Sequence, residues 1–307
     1  MLDRFEGAIL GLAIGDALGY PTEFMSLSAI KRACGPDGTT DFQRRPALYT
    51  DDTQMTLCIA RALIEAGTGD LETLMAAVSR EFVAWSTSKE NNRAPGNTCM
   101  EGCFRLARGI HWRESGVAGS KGCGSAMRTA PVGLYYCDDE AKLFEVAQAT
   151  SLATHGHPTA LAAAAGTAYL TCLALRAEKP GTYVEKLARA TEAIDGDFVQ
   201  CVRKVPAAVA MDDEEEALET LGRGWTGEEA VALALYCFLR SPDDFRRTVL
   251  RGANTNGDSD SIACIAGAIS GAYNGIDALP ADWVRDVENT QMLRDVAGEL
   301  FGGRRGA

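Results

Sequence analysis

Apolar residues recur at three- and four-residue steps almost everywhere along this chain, and no series of segments alternates with the period of two that a strand needs. QMTLCIARALIEAG, LETLMAAVSREFVAWS, AKLFEVAQATSLATH, TALAAAAGTAYLTCLALRA and EEAVALALYCFLR each read as helix. In the second, Leu74, Val78, Phe82 and Trp85 form a stripe expected to face a core. The punctuation between such stretches (EAGTGD, RAPGNT, GHPT, EKPGT, RSPDD, DALPAD) is that of helix ends, and none of it is long enough to link two domains. At 307 residues and 46% hydrophobic content, the chain can bury a large core. The expected architecture is one compact all-α domain over residues 1–307, with function carried by the loops between helices.

Charge narrows the function. Forty-two acidic residues against thirty basic ones leave a formal charge of -12, which argues against broad electrostatic binding to nucleic acid or to an anionic membrane. An anionic ligand would have to be met locally, by backbone amides, glycine loops or bound cations. The ten cysteines follow no zinc-site spacing; Cys99 and Cys103 lie four apart but lack a second pair, so free, mostly buried thiols are expected. The N-terminal run MLDRFEGAILGLAIGDALG is apolar, yet acidic residues precede it and Asp16 interrupts it, unlike a signal peptide or a membrane span. A cytoplasmic monomer that binds neither nucleic acid nor membrane is the expectation. MDDEEEALE, the single charge run, reads as a solvated helix start.

Five stretches carry groups suited to chemistry. In GDSDSIACIAGAISGAYNG, Asp258 and Asp260 stand where a helix begins, and in YTDDTQM, Thr50, Asp51, Asp52 and Thr53 open another. Each acidic mouth could be a helix cap. Alternatively both could converge on divalent ions, since oxygen-only donor sets suit hard cations. Spacing alone leaves the two readings open. GLAIGDALGYPTEF offers Glu23 just after a helical run, where a carboxylate can be solvated or can move protons, and its Gly11, Gly15 and Gly19 permit close helix packing.

GSKGCGSAMRTAP has glycines that let backbone N–H groups approach phosphate, and its SAMR looks like a helix start. It lacks the ending of a mononucleotide loop, and no strand leads into it, so kinase, ATPase and dinucleotide-fold readings fall. Arg128 in this stretch is expected to pair with a carboxylate. ATHGHPTA places His155 and His157 in one loop, suited to phosphate donation or simply to a helix C-terminus. No serine or cysteine nucleophile signature stands out.

The ordered set GDALGYPTEF, YTDDTQM, RAPGNTC, GCGSAMRTAP, THGHP and GDSDSIACIAGAISGAYNG resembles the ADP-ribosylglycohydrolase family over nearly the whole chain. The resemblance implies an orthogonal all-α bundle holding two Mg²⁺ or Mn²⁺ ions between the acidic mouths. Carried over by position, Thr50, Asp51, Asp52, Asp258, Asp260 and Ser261 are the implied metal ligands; serines at 259 and 261 stand where the family commonly has threonine. Glu23 matches a mobile glutamate over the active site, so Glu23, Asp51 and Asp260 are the implied catalytic groups. Gly122, Cys123, Gly124, Ser125, Ala126 and Met127 match a loop meeting the ligand diphosphate and distal ribose, His155 a phosphate-facing histidine, and Asn97 in RAPGNTC the leaving-group side. The implied reaction is hydrolysis of the bond between ADP-ribose and a protein side chain, arginine being favoured because RAPGNTC resembles arginine-directed members. O-linked ADP-ribose and non-catalytic, crystallin-like binding are the alternatives.

Overall fold

The computed structural model describes residues 1–304, and these fold into α-helices joined by short loops and 3-10 turns. Among the described residues the only β pairing is three isolated bridges: Ala47 with Val287, Val117 with His155, and Gly122 with Thr226. The expected stripe of Leu74, Val78, Phe82 and Trp85 lies on the helix Leu71–Ser86 and is buried.

Two glycine-bearing helices form the axis of the fold. Leu2–Gly19 runs antiparallel to Ser259–Asn274, and the two backbones meet directly. A methyl group on Gly7 would lie 2.3 Å from the Gly271 carbonyl oxygen, one on Gly11 2.5 Å from that of Gly267, and one on Gly15 2.0 Å from that of Ala263. Such contacts admit no side chain. At the end of this seam Gly19 lies against Asp260, where an added Cβ would come within 2.4 Å of the aspartate Cα. Thus the repeat of small residues delivers the C-terminal end of the first helix, and Glu23 just beyond it, to the acidic mouth of the second.

The other acidic mouth is tied to the same seam by Asp16. This buried carboxylate accepts from Thr50 N at 2.9 Å and Thr50 Oγ1 at 2.9 Å, and from Thr53 N at 3.0 Å and Thr53 Oγ1 at 2.6 Å. It therefore caps the helix Asp51–Ala66 from outside that helix, satisfying N–H groups that a helix start leaves open. The interruption of the first apolar helix is what positions Asp51 and Asp52.

Beside this axis lies the alanine-rich helix Pro158–Leu175, long and apolar enough to cross a bilayer but with 89% of its residues buried inside the fold. The acidic run forms the exposed start of Glu214–Leu221, with Asp213 accepting from Glu215 N and Glu216 N. The ten cysteines are all free thiols, eight of them buried. One local expectation is corrected: SAMR does not begin an α-helix. Cys123–Ser125 closes a 3-10 turn in which Ala126 N donates to Cys123 O at 2.7 Å, and the α-helix starts only at Ala130, with Pro131 in its first turn.

Candidate active site

The two acidic mouths open on one pocket of about 320 Å³, walled by Glu23, Asp51, Asp52, Asp258 and Asp260 together with Ser261. Their local bonding separates capping from other work. Asp258 occupies the N-cap position of Ser259–Asn274, yet its side chain makes no capping hydrogen bond. Asp52 Oδ2 is buried without any partner. Asp51 Oδ2 accepts from Gly96 N at 3.1 Å, the backbone at the start of the helix Asn97–Ala107, and Asp260 Oδ1 accepts from Ser261 N at 3.0 Å. Capping accounts for part of this set and leaves oxygen atoms over.

Crowding shows in the protonation equilibria. Burial, then Coulombic repulsion from Asp258, Asp51 and Asp16, pushes Glu23 up to about 8. Burial likewise pushes Asp51 up to about 8, with Asp16 and Asp258 adding to the effect. Asp52 and Asp260 are driven well above the ordinary aspartate range by burial and by one another, and Asp258 is raised too. Behind them burial carries Asp16 to about 6 against its four hydrogen bonds. Dominated by other carboxylates, these groups have the chemistry of a set that needs a cation to be comfortably ionised. Among the described residues no three His, Cys, Asp or Glu side chains are already drawn up around one point as a closed cage.

Glu23 sits on a stitched segment. Phe24 N donates to Gly257 O at 2.9 Å and Gly257 N to Met25 O at 3.0 Å, which ties the glutamate loop to the residue preceding Asp258. Phe24 is held at φ 64°, 70% exposed, and its ring stacks on Trp225 at 5.2 Å between centroids. That aromatic pair forms one rim of the pocket.

The opposite wall is the glycine loop. Gly122, Cys123, Gly124 and Met127 face the pocket with His155 beside them. A Cβ on Gly124 would stand 2.8 Å from Cys99 Sγ and 3.1 Å from His155 Cε1, so glycine is what lets this ring lie against the loop. Cys123 Sγ donates to Asp258 Oδ2 at 2.7 Å. Asn97, Thr98 and Cys99 bring the first turn of Asn97–Ala107 to the same cavity, and a helix N-terminus receives anions.

Comparison with known proteins agrees with this geometry. The ADP-ribosylglycohydrolase family model matches residues 1–307. The chain belongs to this family. An uncharacterized protein of Archaeoglobus fulgidus is 31% identical over 98% of this chain and 97% of its own length. The ADP-ribosyl-[dinitrogen reductase] glycohydrolase of Rhodospirillum rubrum is 29% identical over 93% of this chain and 90% of its own length. The ADP-ribosylarginine hydrolase Tri1 of Serratia proteamaculans is 27% identical over 98% of this chain and 79% of its own length. A solved structure described as an ADP-ribosylglycohydrolase-related protein complex superposes with a TM-score of 0.76 at 26% identity, covering 99% of this chain and 98% of the other.

Within this ADP-ribosylglycohydrolase the structure gathers most of the motif residues and leaves a few behind the wall. Glu23, Asp51, Asp52, Asn97, Gly122, Cys123, Gly124, Met127, His155, Asp258, Asp260 and Ser261 all line the pocket. Thr50 stands one layer back, its hydroxyl donating to Asp16 Oδ1 at 2.9 Å. Ser125 is buried with its hydroxyl on Ala160 O at 3.1 Å, and Ala126 is buried in the core. The two histidines part company: His157 caps Pro158–Leu175 through Nδ1, while His155 turns to the pocket.

Arg128 overturns its expected carboxylate pairing. Fully buried, it lies over the Phe82 ring at 4.6 Å and donates to Thr150 O at 2.9 Å and Thr154 Oγ1 at 2.7 Å. A C-terminal helix carbonyl and an aromatic face take the place of an anion there. Sequence reasoning did not give Asp16, Phe24 or Trp225 a place at the site. A lone aspartate inside an apolar helix was the available signal for the first.

Proposed function

We propose that this family member is a divalent-cation-dependent hydrolase that removes ADP-ribose from modified proteins, arginine-linked ADP-ribose being its main substrate, with residues 1–307 acting as one domain. The observation that carries the reading is the convergence of five carboxylates from opposite ends of the chain on a pocket whose far wall is a glycine loop, a helix N-terminus and His155. An acidic end facing an anion-receiving end fits a ligand with a ribose diol at one end and a diphosphate at the other.

The donor set fits two Mg²⁺ or Mn²⁺ ions: all oxygens, with the orphaned Asp52 Oδ2 among them. Asp51, Asp52, Asp258, Asp260 and Ser261 would hold them, with Thr50 orienting Asp52 from behind through the contact of its hydroxyl with Asp52 N at 3.4 Å. When bound, such ions supply Lewis acidity and neutralise the crowded carboxylates. The chain's own groups do the rest. Glu23, set between the two mouths, is placed to take a proton from the attacking water or to hand one to the departing nitrogen. Loop amides at Gly122 to Gly124 and the Asn97 helix start orient the diphosphate. A guanidine leaves poorly unless protonated, and the exposed Phe24–Trp225 pair beside Glu23 gives a guanidinium a face to rest on, which supports the arginine reading.

The test is release of ADP-ribose from arginine-, serine- and acetyl-linked substrates, with and without Mg²⁺ or Mn²⁺. Cation-dependent turnover greatest on the arginine linkage is expected. Turnover confined to O-linked substrates would overturn the linkage, and full turnover in chelator would overturn the cation requirement.

A further inference from the structure

Arg128, Thr154 and His155 form a buried chain that ends at the pocket. The guanidinium has donors only, so at Thr154 Oγ1, 2.7 Å away, the hydroxyl oxygen must accept. The Thr154 hydrogen then has two acceptors within reach: Ser151 O at 3.5 Å and His155 Nδ1 at 2.8 Å. The shorter contact is a good hydrogen bond and the longer a marginal one. With Nδ1 accepting, a neutral imidazole carries its proton on Nε2. Neutrality follows from the surroundings, because burial and the positive charge of Arg128 both oppose protonation of the ring. Nε2 is the atom that faces the glycine loop: a Cβ on Gly122 would lie 3.4 Å from it and one on Gly124 3.3 Å.

We infer that Arg128, acting through Thr154, locks His155 in the Nε2–H tautomer and thereby makes it an uncharged hydrogen-bond donor to an anionic group of the ligand. On the reading above, on which this last step rests, that group is the diphosphate of ADP-ribose. Arg128 and Thr154 are positioning residues. They touch no ligand and act by deciding which ring nitrogen carries the proton. The arrangement also accounts for an arginine buried with no carboxylate beside it, since its hydrogen bonds are spent on Thr150 and Thr154.

The deciding measurement is a two-bond ¹H–¹⁵N correlation spectrum of histidine-labelled, ligand-free protein. The chain has three histidines, and a His155→Gln sample identifies the signal of interest. A protonated Nε2 and a bare Nδ1 are expected in the wild type. Thr154→Val, which keeps the shape and removes the hydroxyl, should populate the other tautomer and weaken ADP-ribose binding by about tenfold, and Thr154→Ser should restore both. A wild-type ring protonated on Nδ1 would overturn the inference, as would a Thr154→Val spectrum unchanged from wild type. If the tautomer is as expected but ADP-ribose does not bind the wild type, the relay stands and the ligand assignment falls.

Discussion

Gly15 faces Ala263 so closely that a methyl group added to the glycine would stand 2.0 Å from the alanine carbonyl oxygen. Nothing flexible can yield there, because the opposing atoms are helix backbone. Gly15→Ala should therefore destabilise the protein by about 2 to 3 kcal/mol, the upper part of the range for overpacking a core. The helices can relieve the clash only by separating, which moves Glu23 away from Asp260, so divalent-ion affinity should fall as well. Gly298→Ala is the control: it lies in the helix Thr290–Arg304 with open space around its added Cβ. That change should be neutral or stabilising by up to about 1 kcal/mol. Urea denaturation of both variants separates crowding from simple loss of glycine.

Asp16 touches no wall of the pocket, yet it should behave as a site residue. Asp16→Asn keeps the size but turns an N–H₂ toward groups that now donate to Oδ2, leaving the Thr53 N–H and hydroxyl poorly served. A cost of about 3 kcal/mol is expected from unsatisfied buried donors. Because this carboxylate caps the helix that bears Asp51 and Asp52, isothermal titration should also show weaker Mn²⁺ binding. Unchanged Mn²⁺ affinity would mean that the acidic mouth holds its place without Asp16.

Asp52 should show opposite effects with and without cation. Its Oδ2 is orphaned and its neighbours are carboxylates, so in chelator Asp52→Asn should raise stability by about 1 kcal/mol, by removing a buried charge that nothing pairs. The same variant should lose most of the thermal stabilisation that Mg²⁺ or Mn²⁺ gives the wild type, which for a ligand at a hundred times its dissociation constant is about 2.7 kcal/mol. Thermal melts of both proteins with and without each ion decide the matter. A variant still stabilised to the wild-type extent would exclude Asp52 from the ligand set.

Most of this was readable before any coordinates because the signals are local. The helix Leu71–Ser86 coincides with its apolar stripe, and the acidic mouths declare themselves by two carboxylates beside a helix start. What stayed hidden depends on partners remote in sequence. Asp16 looks like a flaw in an apolar helix until Thr50, 34 residues on, supplies its meaning. The four-residue glycine spacing announces a close approach but does not name the opposing helix, which begins at Ser259. Arg128 was misread because a buried arginine suggests a carboxylate, whereas carbonyl, hydroxyl and aromatic partners leave no compositional mark. Phe24 and Trp225 read as ordinary apolar residues, and only their stacking at the rim sets them apart.

His155 also gives the fold an acid limit. Burial, aided by Arg128, lowers its pKa from 6.5 to about 3, so below pH 6.5 the unfolded chain takes up a proton that the folded protein refuses. The contribution is fully present above 6.5 and drains away as the pH falls toward 3. Between pH 7 and pH 5 this one ring should cost the wild type about 2 kcal/mol. The raised carboxylates work in the other direction, since the folded state holds their protons more tightly and gains on acidification. Comparison with His155→Gln cancels that common background. In urea denaturation with chelator present, the stability gap between wild type and variant should narrow by about 2 kcal/mol on going from pH 7 to pH 5. A gap that does not change with pH would show that the folded protein accepts a proton on this ring at pH 5, and with it a cationic donor in place of a neutral one.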